Sequence, residues 1–170
     1  FLAQLETPID TVKHALSIAK ARGMRTLINP APAGKEILPA LEDVDILLPN
    51  ETELALLSGT QDIAQGVLAL EAQGVGRVVV TLGSRGCAYR QNGRLAELPA
   101  FRVRAVDTTA AGDTFCGALA VRLCAGDALE DALRYASAAA AIAVTRPGAQ
   151  QSIPDAREVE AFLASHFELI

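Results

Sequence analysis

The chain has 170 residues, 51% of them apolar and 21% charged, a balance that excludes a disordered segment or a coiled coil. Its 20 acidic and 15 basic side chains leave a formal charge of −5. The three lysines (Lys13, Lys20, Lys35) and the scattered arginines make no basic run, so no nucleic-acid surface is expected.

Apolar runs of four to six residues alternate with amphipathic segments, the pattern of strands joined by helical crossovers. Leu2 to Leu5 is the first run. Pro8 then opens a helix carrying Val12, Ala15, Leu16, Ala19 and Ala21, which Gly23 ends. Met24 to Ile28 reads as the second strand, emptying into the rigid loop Asn29 to Gly34, and Val44 to Leu48 as the third. Asn50 caps a helix with Glu51 and Glu53 in its first turn, and another helix runs from about Asp62 to Gln73. Val75 to Thr81 is strand four. After the turn Leu82 to Gly86, Cys87 to Arg90 and Leu95 to Leu98 read as a hairpin around Asn92-Gly93. Two Ala-rich helices, Ala111 to Ala125 and Leu129 to Val144, follow; Pro147-Gly148 breaks the second, and Pro154 opens a last helix through Phe162. One α/β domain over residues 1–170 fits this pattern.

Cys87, Cys116 and Cys124 are odd in number and lack C-x-x-C spacing, so reduced thiols are expected. His14 and His166 read as surface helix residues rather than ligands. The longest largely apolar stretch, Ala136 to Val144, is too short to span a bilayer, and the first residues lack the basic region of a signal peptide. A soluble protein of the cytoplasm is therefore expected. Because Phe1 to Glu6 reads as a buried strand with no turn before it, a truncated or processed chain is also expected.

In an open parallel sheet, ligands bind where the carboxyl ends of strands meet helix N-termini. Four polar clusters fall at such ends: Asn29 to Gly34, Asn50 to Glu53, Thr81 to Gly86, and Asp107 to Asp113. In the last, the small residues Ala110, Ala111 and Gly112 lead straight into a helix, whose exposed N–H groups and dipole suit a phosphate. Asp113 lies in the first turn, where it could accept a hydroxyl proton. The alternative is that Asp113 only caps the helix and the small residues only permit close packing. Asn50 and Glu53, three residues apart, could both reach one hydrated Mg²⁺, or could simply form a capping box. Asn50-Glu51-Thr52 matches a glycosylation sequon by accident.

The run Asp107-Thr108-Thr109-Ala110-Ala111-Gly112-Asp113-Thr114-Phe115 resembles the C-terminal signature of the PfkB-type (ribokinase-like) carbohydrate kinases. Gln4-Leu5-Glu6, Asn29-Pro30-Ala31-Pro32, Pro49 to Glu53, Thr81 to Gly86 and Thr145 to Gln150 resemble further family motifs, in the family's order. The resemblance implies a three-layer α/β sandwich with a mainly parallel sheet, of which this chain is the C-terminal, nucleotide-binding portion. By the same resemblance, the family's N-terminal portion, with most sugar contacts and a small β-sheet lid, is expected to lie outside this stretch.

The resemblance also implies roles. Asp113 would be the catalytic base, Ala110, Ala111 and Gly112 the anion hole, and Asn50, Thr81, Leu82, Gly83, Ser84, Arg85, Gly86, Gly112 and Ser137 the ATP site. Glu6 and Asp113 would contact the sugar, and Glu53 would hold Mg²⁺ through water. A K⁺ site would draw on Asp107, Thr109, Ala143, Arg146, Gly148 and Ser152. The implied reaction is ATP-dependent phosphorylation of D-ribose at its 5-hydroxyl, with the full-length form a homodimer through the lid.

Other readings are a sister sugar or nucleoside kinase, or a non-catalytic nucleotide-binding fragment. A dinucleotide-binding oxidoreductase is rejected, because Gly74-Val75-Gly76 leads into a strand where a helix is required. The G-x-x-x-x-G-K-[ST] run of a P-loop is missing from the sequence.

Overall fold

The computed structural model describes residues 1–166, which divide into two compact units. The first comprises residues 1–83 and 87–97, the second residues 84–86 and the chain from 98 onward.

The first unit is built on a six-stranded sheet in chain order: β1 (Leu2–Ala3), β2 (Leu27–Ile28), β3 (Ile46–Leu47), β4 (Arg77–Thr81), β5 (Cys87–Gln91) and β6 (Arg94–Leu98). β1 to β4 run parallel, with Leu2 opposite Leu27, Leu27 opposite Ile46 and Leu47 opposite Val78, while β5 turns antiparallel to β4. This is the expected α/β fold with a mainly parallel sheet. Val78, Val79 and Val80 are all buried, as a strand covered on both faces requires.

The crossover helices are α1 (Ile9–Ala21), α2 (Glu51–Ser58) and α3 (Ile63–Ala72). Val12, Leu16 and Ala19 recur at helical spacing and bury one face of α1, Val12 and Leu16 in a core shared with Ile28, Leu47, Leu54, Leu70 and Val80. Each such large side chain contributes about 1.5–3 kcal/mol of burial. Gly23, with φ of +70°, ends α1 in a Schellman motif: its N–H reaches the Lys20 carbonyl and that of Met24 the Ala19 carbonyl. Residues 35–43, to which the sequence pattern assigns no element, form a 3₁₀ helix that buries Ile37 and Leu41 in the same core.

The parallel strands are shorter than the apolar runs suggested, and side chains explain part of the difference. Thr26 N–H donates to Asp45 Oδ2 (2.8 Å), and Asp45 N–H is shared between Thr26 Oγ1 (2.9 Å) and the Thr26 carbonyl (3.1 Å), so side chains compete with the ladder just before β2 and β3. The β5–β6 hairpin matches expectation, with Asn92 and Gly93 both at positive φ, as a type I′ turn demands.

The second unit contains α4 (Ala111–Ala125), α5 (Leu129–Ala143) and α6 (Ala156–Ser165). Phe115, Leu119 and Leu123 line one face of α4, and the run of alanines on α5 is buried. Small side chains let a helix approach its neighbour closely. Ala138, Ala139, Ile142 and Val159 form a core flanked by Phe101, Phe162 and Leu163. The last helix starts later and ends later than expected, because Asp155, not Pro154, takes the cap position and no breaker follows Phe162. His14 is exposed on α1, whereas His166 sits half-buried at the end of α6, stacked on the Phe162 ring. Among the described residues, no helix is long and apolar enough to cross a membrane.

Candidate phosphate-binding site

In the second unit, α4 opens without a side-chain cap. Its cap residue, Ala110, stands in the left-handed region at φ 59°, ψ 10°. For a residue with a Cβ this conformation costs about 1–2 kcal/mol. It is held there by Thr114, whose N–H and hydroxyl both donate to the Ala110 carbonyl at 2.8 Å. The first N–H groups of an α-helix have no partner within it. Here no side chain caps them, the Ala111 N–H reaches back to the Thr108 carbonyl at 3.3 Å, and the next residue, Gly112, is exposed with nothing within 4 Å of the place a Cβ would occupy. The structure thus brings Ala110, Ala111, Gly112 and Asp113 into one open turn, with the Asp113 carboxylate on the exposed side of the first helical turn.

The approach to this turn is tied down by Asp107. Its Oδ1 accepts from the Thr109 N–H (2.9 Å) and hydroxyl (2.6 Å), and its Oδ2 accepts from Gly148 N–H (2.9 Å) across 41 residues of sequence. The Thr109 bonds, then that from Gly148, hold the Asp107 carboxyl down at about 2. The N–H groups of Val106 and Asp107 both donate to the Val144 carbonyl, at 2.7 and 3.2 Å. Asp107, Thr109, Gly148 and the segment after α5 therefore form one assembly. Ala143 and Ser152 are buried beside it in sequence, and the Ser152 hydroxyl donates to Ala149 O at 2.7 Å. Ser137 is buried on α5.

In the first unit, Asn50 and Glu53 do form a capping box. Asn50 Oδ1 accepts from Glu53 N–H at 2.9 Å, and Glu53 Oε2 accepts from Asn50 N–H at 2.8 Å. Burial pushes the Glu53 carboxyl up, against the opposing pull of the Asn50 hydrogen bond. Asn50 also lies against Thr81 at the carboxyl ends of β3 and β4, where Thr81 N–H donates to Pro49 O at 2.9 Å. Leu82 buries its side chain in the core. Gly83 to Arg85 make a 3₁₀ turn with Ser84 and Arg85 exposed. Gly86, at φ +104°, is required by packing: a Cβ there would stand 2.0 Å from the Leu98 carbonyl oxygen. Glu6 is exposed at the bend after β1.

Two participants escaped the sequence reading. Val144 acts only through its carbonyl, which leaves no trace in residue type. Glu158 had a readable signal, since Asp155-x-x-Glu158 is a capping-box pattern, but its contact with Arg146 had none. Cys87, buried and pushed up to about 12 by desolvation, has no reactive character.

The family model for pfkB family carbohydrate kinases matches residues 2–156. The chain is 40% identical over 167 residues to the ribokinase of Haemophilus influenzae and 36% identical over 167 residues to the deoxyribokinase of Salmonella typhi. In both cases the match takes in 95% of this chain and 55% of the relative, so the chain spans about half the length of the curated relatives it matches. Among solved structures, the ribokinase of Thermotoga maritima superposes with a TM-score of 0.86 at 42% identity, over 96% of this chain and 56% of that one. The ribokinase of Arabidopsis thaliana, solved with ribose and ATP, gives 0.85 at 35% identity, over 95% and 55%. A putative ribokinase II from E. coli, solved with ATP and Mg²⁺, gives 0.84 at 32% identity, over 93% and 54%. The Asp107 to Phe115 turn, the order of the elements and the breadth of these matches agree: the chain belongs to the pfkB family of carbohydrate kinases.

Proposed function

We propose that the chain is the nucleotide- and phosphate-binding part of an ATP-dependent kinase that phosphorylates D-ribose at its 5-hydroxyl. The observation that carries this reading is the start of α4, where a helix N-terminus without a side-chain cap, an exposed Gly112 and an exposed carboxylate share one helical turn. Asp113 takes the proton from the sugar hydroxyl as its oxygen bonds to the γ-phosphorus. The bond from that phosphorus to the bridging oxygen breaks, and the N–H groups at Ala110, Ala111 and Gly112 offset charge on the transferred group. Ser137, Asn50, and Thr81 to Gly86 contribute to nucleotide binding, and Glu6 to sugar binding.

Mg²⁺ and K⁺ are both compatible with the residues present. Glu53 and Asn50 offer oxygen ligands, and among the described residues no group of three or more His, Cys, Asp or Glu gathers that could hold a metal by itself. A divalent ion at Glu53 would therefore rely on water and phosphate oxygens, as Mg²⁺ commonly does. It would supply positive charge against the phosphates. The Asp107, Thr109, Ala143, Arg146, Gly148 and Ser152 set would offer oxygen, mostly from backbone carbonyls except for Asp107 and Ser152, and includes a carboxylate held ionised, which suits K⁺. Such an ion would order the approach to α4.

The cytoplasm and a homodimer of the full-length form belong to the same reading. A second reading, phosphorylation of deoxyribose, is favoured by the 36% identity to a deoxyribokinase. A coupled ADP assay of the full-length protein with ribose, deoxyribose and fructose decides between sugars. Absence of turnover with every sugar would leave only nucleotide binding. The 170-residue chain alone is expected to bind ATP weakly without useful turnover, since holding the hydroxyl in line is worth about 7–11 kcal/mol of the barrier.

A further inference from the structure

Glu158 is fixed from two directions within the second unit. As the third residue of α6 it completes a capping box, its N–H donating to Asp155 Oδ1 and its Oε2 accepting from Asp155 N–H, both at 2.9 Å. The same carboxylate receives the Arg146 guanidinium on both oxygens, Nη2 on Oε1 and Nη1 on Oε2. Arg146 belongs to the segment after α5 that anchors the approach to α4. Two residues before it, Val144 O accepts from Val106 and Asp107 N–H; two residues after it, Gly148 N–H donates to Asp107 Oδ2. Asp107 in turn holds Thr109, the residue next to the left-handed Ala110.

An open cavity of about 440 Å³ lies beside the pair, lined also by Ile142, Thr145, Ala161 and Phe162. The ion pair spans a place where apolar packing between the Arg146 segment and α6 is incomplete. An ordinary exposed ion pair contributes little, because two long side chains must be ordered to make it. Here the fork is bidentate and the carboxylate is already ordered by the cap, so that cost is reduced.

We propose that Glu158 is a positioning residue for the phosphate-binding turn, holding Arg146 and through it the 144–148 segment against Asp107. The inference rests on the reading of that turn given above. A cap alone would not need Arg146, and this separates the two roles experimentally. In the full-length protein, Glu158→Gln keeps a capping-box side chain but removes the charge that holds Arg146. It is expected to weaken ATP binding, read by calorimetric titration and by KM, about three- to ten-fold, with kcat changed less and thermal stability nearly unaltered. Asp155→Ala is the control: it breaks the cap and lowers stability, but should leave ATP affinity within about two-fold of wild type.

The proposal is overturned if Glu158→Gln leaves ATP affinity unchanged, or if Asp155→Ala weakens it equally. Should Glu158→Gln fail to fold, Arg146→Gln must give the same weakening, and unchanged affinity there overturns the proposal too. Asp113→Asn run in parallel separates the levels: full turnover in that variant sinks the functional reading, whereas its loss with a silent Glu158→Gln sinks only this inference.

Discussion

Helices α2 and α4 both begin at a small loop, and both carry an acidic residue three positions beyond the cap residue, Glu53 in one and Asp113 in the other. Their starts nevertheless differ. At α2 the acid folds back onto the Asn50 N–H and the Asn50 side chain covers the Glu53 N–H, so two of the helix's unpaired donors are consumed by the chain itself. At α4 the cap residue is an alanine with no side chain to offer, the backbone enters through a left-handed conformation, and Gly112 leaves the first turn open. One start is satisfied internally at a gain in stability. The other has no side-chain cap, its Ala111 N–H making only a long 3.3 Å bond to the Thr108 carbonyl, and it carries strain at Ala110, which is where a bound phosphate can contribute.

The largest test of this contrast is Asp113→Asn in the full-length protein. The amide preserves the helix start but cannot accept the hydroxyl proton, so turnover should fall by about 10²–10⁴-fold while ATP affinity stays within a few-fold. A steady-state assay retaining more than about a tenth of wild-type activity would contradict the proton-accepting role.

Much of this was readable in the residues, and what was not has a physical reason. The hairpin at Asn92-Gly93, the end of α1 at Gly23 and the extents of α4 and α5 follow from local backbone preferences, and local rules predicted them closely. The lengths of β2 and β3 did not, because Thr26 and Asp45, 19 residues apart, exchange hydrogen bonds that no local pattern announces. At the candidate site, the cluster from Asp107 to Asp113 was legible as a run of small residues entering a helix. The bond from Gly148 to Asp107 and the double use of the Val144 carbonyl were not, since both are long-range and the second involves only backbone. Asn50 and Glu53 show the converse: the sequence allowed both a metal role and a cap, and the geometry displays the cap directly.

The next tests set the two helix starts against each other in stability. Asn50→Ala removes the acceptor for the Glu53 N–H and should cost about 1 kcal/mol, read as a lower denaturation midpoint in urea. Ala110→Gly should act in the opposite direction. It removes a Cβ from a left-handed residue at φ 59° and should stabilise by roughly 0.5–1 kcal/mol, less than the full strain because glycine also loosens the unfolded chain. If Ala110→Gly destabilises, the strain assigned to the α4 start is wrong, and with it half of the contrast.

The smallest effect concerns the pH dependence of the α4 approach. Asp107 is held down at about 2 in the folded chain, against an ordinary value of 3.8, chiefly by Thr109 and then by Gly148. A carboxyl whose folded value lies below its unfolded value contributes stability that is present above the unfolded value and lost as pH falls towards the folded one. The contribution should therefore be complete above about pH 4 to 5 and disappear between about pH 4 and pH 2. The group is open to solvent, so the effect should be modest and should shrink further at high salt. Asp107→Asn can still accept from Thr109 through its amide oxygen, but its NH₂ cannot accept from the Gly148 N–H. The variant should thus be less stable than wild type at neutral pH, with the gap closing as the solution is acidified through that window. Urea midpoints for both proteins from pH 7 down to pH 2 measure this directly. A gap that stays constant would mean that Asp107 owes its role to shape alone, and that its charge does not help hold the 144–148 segment against the start of α4.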